Sequence, residues 1–173
     1  MHTIMKKQSF TALLAISFVC LGWASLIAAA AADEGGVISA ITSGAKADGV
    51  TDDTAAIQKA LDQAAQAGGR VHLPPAHYLV KGSLRIPPGV TLQGMMDSPV
   101  WSDPLKGSII LATGGRDNED APALFEMGHS SAVRGLTVFY PEQQTTNIHA
   151  YAWTFHLQGH DNTVENVTLI NSY

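Results

Sequence analysis

The sequence predicts an all-β fold, a parallel β-helix closed at its N-terminal end by an α-helix. Three observations carry this expectation. Short strand-like runs follow one another with turn residues between them and no second long helix pattern. A stretch of 14 residues recurs at an offset of 31 residues, the mark of a stacked repeat. One amphipathic helix pattern stands before the strands, where a solenoid needs a cover for its open end. Many short strands without intervening helices exclude a βαβ sheet.

The chain opens with Lys6-Lys7, an apolar run from Phe10 to Ala32, and then Asp33-Glu34-Gly35-Gly36. A basic start, an apolar middle and an Ala-x-Ala exit make a secretory signal peptide, cut after Ala32. The competing reading is an uncleaved anchor, since the run is long enough to span a bilayer. The alanine-rich exit and the acidic residues after it favour cleavage. The expected organisation is therefore a signal peptide over 1–32 and part of one β-helix domain over 33–173. The product is secreted or periplasmic and has no membrane contact after cleavage. Cys20, the only cysteine, lies in the apolar run. The mature chain thus has neither a disulfide nor a cysteine nucleophile. Removing Lys6 and Lys7 leaves eight basic against fifteen acidic residues, a formal charge of −7. That balance argues against nucleic acid as a partner but not against an anionic polysaccharide held in a local basic cleft. Nothing in the sequence fixes an oligomeric state.

Residues 44–94 make sense one element at a time. Asp48-Gly49 is a turn pair. Thr51 and Asp52 are good helix N-caps, and Asp52 and Asp53 suit the positive end of the helix dipole. Ala56, Ile57, Ala60, Leu61 and Ala64 form one apolar stripe, so a helix is expected from roughly Asp52 to Ala67. Gly68-Gly69 ends it, and Pro74-Pro75 forbids its return. Asp48, Asp52 and Asp53 are accordingly read as structural. Strands are expected at Val71–Leu73, Tyr78–Val80, Leu84–Ile86, Val90–Leu92, Ser108–Ala112, Ala123–Met127, Val133–Tyr140, Thr154–Leu157 and Val164–Ile170. In the repeat, the stretch from Phe125 to Val138 aligns with that from His156 to Leu169. Gly128/Gly159, His129/His160, Val133/Val164 and Thr137/Thr168 are identical. The two histidines are read as stacked turn residues rather than a metal pair, since no third ligand has matched spacing. Arg134 and Glu165 align as outward residues able to pair.

The run Gly44-Ala45-Lys46-Ala47-Asp48-Gly49-Val50-Thr51-Asp52-Asp53-Thr54, then Ala56-Ile57-Gln58-Lys59-Ala60-Leu61, Gly68-Gly69-Arg70-Val71-His72-Leu73-Pro74, Tyr78-Leu79-Val80 and Gly89-Val90-Thr91-Leu92-Gln93-Gly94 resembles the opening of the pectate-lyase superfamily. It is similar to that superfamily's rhamnogalacturonase/epimerase-like N-terminal region, found also in phage tailspikes. Ala47 and Ala76 stand where that pattern usually has Gly. The resemblance implies a right-handed parallel β-helix of the pectin-lyase fold, a polysaccharide partner, and Ca2+ as the cofactor of lyase members. It supplies no catalytic residue. Members of the superfamily are much longer, and a solenoid needs a C-terminal cap. The chain is therefore expected to be an N-terminal fragment, truncated within the β-helix.

Two chemistries run on such a fold. β-Elimination of a uronate needs acid clusters for Ca2+ and a basic side chain. Hydrolysis needs two carboxylates across the glycosidic bond. Neither constellation can be assigned, so the catalytic residues are unknown and no metal ligand is named. Asp117-Asn118-Glu119-Asp120, between Gly114-Gly115 and Pro122, is expected to be a solvated loop. Asp97 and Asp103 flank Trp101 in a second loop. The substrate-binding candidates are Tyr140 and Glu142 in Tyr-Pro-Glu-Gln, and Tyr151 and Trp153 in His149-Ala150-Tyr151-Ala152-Trp153. Aromatic rings stack on pyranose faces and carboxylates accept from hydroxyls; the competing role for Tyr151 and Trp153 is packing between coils. The function expected is a secreted lyase or glycoside hydrolase of acidic, pectin-like glycans, inactive in the residues present. The alternative is a non-catalytic scaffold or glycan-binding surface protein.

Overall fold

The computed structural model describes residues 36–97 and 105–173. The leader, Cys20, Trp101 and Asp103 lie outside the described residues. Strands β1 (Val37–Ser39) and β2 (Asp48–Asp52) precede helix α1 (Thr54–Ala67). Then come β3 (Arg70–His72), β4 (Ala76–Val80), β5 (Leu84–Ile86), β6 (Thr91–Gln93), β7 (Ser108–Ala112), β8 (Phe125–Met127), β9 (Ala132–Phe139), β10 (Phe155–Leu157) and β11 (Thr163–Ile170). These named strands pair only in parallel, and strands distant in sequence lie side by side.

The pairing resolves into three faces wound as successive coils, a parallel β-helix. Face one stacks β1, β3, β6 and the first half of β9. Face two stacks β2, β4, β7 and the second half of β9. β11 lies along the whole of β9 and so continues both faces. Face three stacks β5, β8 and β10. β9 crosses from face one to face two at Gly135, which has φ 65°, and Asn166 with φ 52° makes the same corner one coil on. Glycine and asparagine tolerate that left-handed conformation.

Alternate residues point inward and stack in rows. Val71, Leu92 and Val133 form one row; Tyr78, Ile110 and Val138 form another; Leu84 and Phe125 form a third. All of these are fully buried. Phe155 continues the third row, its ring stacked 5.2 Å from that of Phe125. Each such aliphatic or aromatic side chain stabilises the coil by about 1.5–3 kcal/mol of transfer free energy.

The helix covers the strands as its stripe requires. Ile57, Ala60, Leu61 and Ala64 are buried, and α1 packs on β1, β3 and β5. Gln58 goes further and acts as a substitute strand. Its amide oxygen accepts from the Arg85 N–H at 2.9 Å, and its amide nitrogen donates to the Arg85 carbonyl at 3.1 Å. The otherwise unpaired edge of β5 is thereby satisfied. Gly68 ends the helix with φ 64°, its N–H donating to the Ala64 carbonyl.

Three expectations are corrected in detail. The helix begins at Thr54, because Asp48–Asp52 is a strand with an irregular register against β4, not only a turn and cap. Asp53 occupies the N-cap position but makes no side-chain cap. Its carboxylate is buried and accepts from the backbone N–H groups of Lys46 and Ala47, at 2.6 and 3.0 Å. Finally, the 31-residue offset holds from β9 to β11, but β10 sits on β8 at an offset of 30, Phe155 over Phe125. Stacking phenylalanine on phenylalanine sets that register, and the extra residue is absorbed before Gly159, at φ 109°. Among the described residues no helix is long and apolar enough to cross a membrane.

Candidate functional site

The corner between faces two and three carries the candidate site. Two loops leave face two there in successive coils: 113–124 after β7 and 140–154 after β9. They are joined through the backbone, Asp117 N–H donating to the Ala150 carbonyl at 2.7 Å and Leu124 N–H to the Trp153 carbonyl at 2.9 Å. The longer loop is folded around Gln143. Its side-chain amide exchanges two hydrogen bonds with the backbone of His149, at 2.7 and 2.8 Å.

The four sequence candidates divide between two adjoining features. Tyr140, Tyr151 and Trp153 line a cavity of about 540 Å³, together with Thr154, Glu119 and Tyr173. Tyr140 and Tyr151 are buried and meet edge to face, with centroids 4.9 Å apart. The Tyr140 hydroxyl is bonded to Thr154 Oγ1 at 2.8 Å. Burial pushes both phenols above their ordinary values, for Tyr151 with the added effect of the Glu142 carboxylate. Trp153 is different. It is 78% exposed, so the packing role weighed for it does not hold, whereas Tyr151 does pack between coils. Glu142 stands outside the cavity lining and reaches it through Tyr151, whose hydroxyl donates to Glu142 Oε2 over a long 3.4 Å.

Behind the aromatic wall Glu142 and Asp117 join Arg116 and His149 in a polar cluster that the sequence did not predict as a unit. Arg116 contacts Glu142 at 3.2 Å and Asp117 at 3.4 Å. Asp117 also accepts from His149 Nδ1 at 2.8 Å. That bond places the imidazole proton on Nδ1, leaving Nε2 to accept from the Asn147 amide at 2.8 Å. Arg116 Nε, 3.3 Å from the same Nδ1, therefore cannot donate to it and pairs with Asp117 instead. The hydrogen bond from His149 holds the Asp117 carboxyl below its usual range. The bond to Glu142 raises the Arg116 guanidinium further. With both ring nitrogens occupied, His149 fastens one loop to the other. The acidic loop is solvent-exposed as expected, and its Asp117 is in addition bonded to His149 and paired with Arg116. Arg116 and Asp117 carried no periodic or motif signal, because their partners lie 26–33 residues away in the next coil.

Other sequence candidates are structural. Asp48 accepts from Val50 and Thr51 N–H at 2.8 and 2.7 Å, closing its own turn. His129 and His160 stack at 5.8 Å. Arg134 and Glu165 pair at 3.4 Å on the outer surface. A Ca2+ cage needs six to eight oxygen ligands. Among the described residues no three carboxylates or histidines converge to hold an ion, and Asp117 is turned toward His149 and Arg116. These residues do not fit calcium, and no step is derived through it.

Comparisons with known proteins agree with the coil architecture. The chain is 30% identical over 141 residues to alginate lyase 7 of Azotobacter vinelandii, covering 73% of this chain and 15% of that protein. It is 38% identical over 80 residues to a non-secreted LysM effector of Penicillium expansum, covering 46% of this chain and 6% of the relative. Among solved structures it superposes on the A-module of a mannuronan C-5 epimerase of Azotobacter vinelandii with a TM-score of 0.53 at 23% identity, over 76% of this chain and 38% of the other. That likeness supports the fold. The chain thus spans a small part of the curated relatives it matches. Residues 37–171, nearly all of the described coil stack, match the description "rhamnogalacturonase A/epimerase, pectate lyase-like". A stack of parallel coils capped by α1, matched to that description along its length, belongs to the rhamnogalacturonase A/epimerase, pectate lyase-like family.

Proposed function

We propose that this chain is part of an exported, carbohydrate-active β-helix that binds a uronate-containing polysaccharide across the corner loops 113–124 and 140–154. The observation that carries the proposal is Trp153, 78% exposed at the mouth of a cavity walled by Tyr140 and Tyr151. An exposed indole is costly to leave in water and offers a flat face for a pyranose ring. A cavity of about 540 Å³ lies within the size range of small-ligand sites. The polysaccharide class is supported by relatives named for alginate lysis and mannuronan epimerisation. Export rests on the Lys6-Lys7 start and the apolar run to Ala32.

A role in holding the chain rather than cutting it has its own support. Glu142 and Asp117 are paired with Arg116 and His149, and His149 has no free nitrogen to move a proton. A glycan-binding coil stack is therefore favoured over a catalytic one for these residues. The test is calorimetric titration with alginate and polygalacturonate oligosaccharides beside neutral ones, with absorbance at the unsaturated-product band and reducing ends followed in parallel. Trp153→Ala should weaken binding about tenfold, the size expected for losing one stacking platform. Unchanged affinity in that variant would remove the cavity from the binding surface. Turnover lost on Glu142→Gln would make it catalytic instead. N-terminal sequencing of exported protein should begin at Asp33; a membrane-bound product retaining Met1 would make the apolar run an anchor.

A further inference from the structure

The charge around the aromatic cavity selects among sugars. A uronate residue brings a carboxylate, and a site built for it presents a cation or several N–H donors at the carboxylate position. The lining of this cavity presents the reverse. Among the described residues, Glu119 is its one ionisable side chain apart from tyrosines, and no lysine, arginine or histidine lines it. Two basic side chains stand at this corner outside the lining: Lys81, in an adjoining pocket that shares Tyr140 and Ala152 with the cavity, and Arg116. Arg116 is engaged by Glu142 at 3.2 Å and Asp117 at 3.4 Å, so its charge is already matched by two carboxylates. The polar groups left to a ligand are phenol hydroxyls, the Thr154 hydroxyl, the Ser172 hydroxyl and the Glu119 carboxylate, which suit sugar hydroxyls. Glu119 and Tyr173 both line the cavity, and the Glu119 carboxylate raises the Tyr173 phenol above its ordinary value.

From this arrangement we infer that the cavity lined by Tyr140, Tyr151, Trp153 and Glu119 takes an uncharged pyranose in preference to a free uronate. An uncharged residue is either a neutral sugar or a uronate whose carboxyl is esterified. The two share the relevant chemistry, a stacking face and hydroxyl donors without an anion. The inference rests on the proposal that this cavity binds glycan, and it narrows the residue accepted there. Within a uronate-containing chain, the site would read the points where charge is missing. Like charges a few ångströms apart at a solvent-facing site differ by about 1 kcal/mol, close to a fivefold change in affinity.

The full chain is titrated calorimetrically with three tetrasaccharides: galactotetraose, methyl-esterified tetragalacturonate and free tetragalacturonate. At least one of the two uncharged ligands should bind, with an affinity that hardly changes with NaCl. Which of them binds identifies the source of the uncharged residue. The free acid should bind about fivefold more weakly at low salt, the gap closing as salt rises. Glu119→Gln, an exposed and isosteric change, should narrow the gap between the free acid and the uncharged ligands. Trp153→Ala should weaken all ligands alike. A free acid that binds as tightly as its ester, or becomes the preferred ligand on adding CaCl2, overturns the inference and leaves glycan binding standing. A gap unmoved by Glu119→Gln also overturns it. Should no ligand bind, or should Trp153→Ala leave all affinities unchanged, glycan binding at the cavity fails, and the selectivity with it.

Discussion

Single residues carry specific loads in this fold. Ala47 holds φ 55°, in the left-handed region where glycine is at ease. It is one of the two positions where alanine replaces the family's usual glycine. The other, Ala76, starts β4 in ordinary extended backbone. Ala47→Gly should relieve the strain while keeping the Ala47 N–H bond to Asp53. Strain relief exceeds the added freedom of the unfolded chain by about 0.5 kcal/mol, so the melting temperature should rise slightly. Asp53 is the stronger test. Its buried carboxylate satisfies two N–H groups, and Asp53→Ala should cost about 2–4 kcal/mol in a urea titration. Asp48 supplies a pH signature. Backbone N–H groups of Thr51 and Val50 lower its carboxyl from 3.8 to about 2. A depressed folded value means that its contribution is complete above about pH 4 and lost as pH falls toward 2. Asp48→Asn should flatten stability across that window; an unaltered acid limb would mean that the turn does not load the carboxylate.

At the scale of elements, α1 was legible because local signals and tertiary role coincide. The stripe of Ile57, Ala60, Leu61 and Ala64 is both a helical period and the buried surface. Replacing Ile57 or Leu61 by Asp should therefore cost about 4 kcal/mol or more, with no partner to receive the charge. Gln58→Ala should cost only about 1 kcal/mol, since its two bonds to Arg85 lie near solvent. The nine strands expected after the helix all exist, with ends shifted by a few residues. β1 and the strand character of β2 escaped notice for a physical reason. β1 is three residues long and only partly buried, and β2 is polar, so neither shows an apolar alternation. The repeat was readable at β9 and β11, where seven positions stack in one register, and misread by one at β10. There a shared Gly-His turn outweighed the Phe-on-Phe stacking that the fold obeys. The corner cluster was out of reach, because Arg116–Glu142 and Asp117–His149 are pairs made by coiling and not by spacing along one element.

For the whole molecule, each coil is covered by its neighbours, and its stability is a matter of stacking. The rows show this directly. Met127 and Val133 are fully buried, while their row partners Leu157 and Val164, one coil further, are 53% and 41% exposed. Leu169, over Val138, is 41% exposed as well. These apolar side chains sit on β10 and β11 beside their outer backbone edges, and an uncovered parallel edge with an apolar rim is a template for another chain. Protein comprising the described coils should consequently associate as its concentration rises, seen as growing scattered light at constant temperature. Leu157→Lys with Val164→Lys should suppress that association, because two like charges in adjacent rows repel a second copy. The pair should cost little thermal stability, since both side chains are already about half solvated. Scattering that does not depend on concentration in the unmodified protein would show that this face is covered in solution. Suppression accompanied by a large fall in melting temperature would show that Leu157 and Val164 act as core rather than as rim.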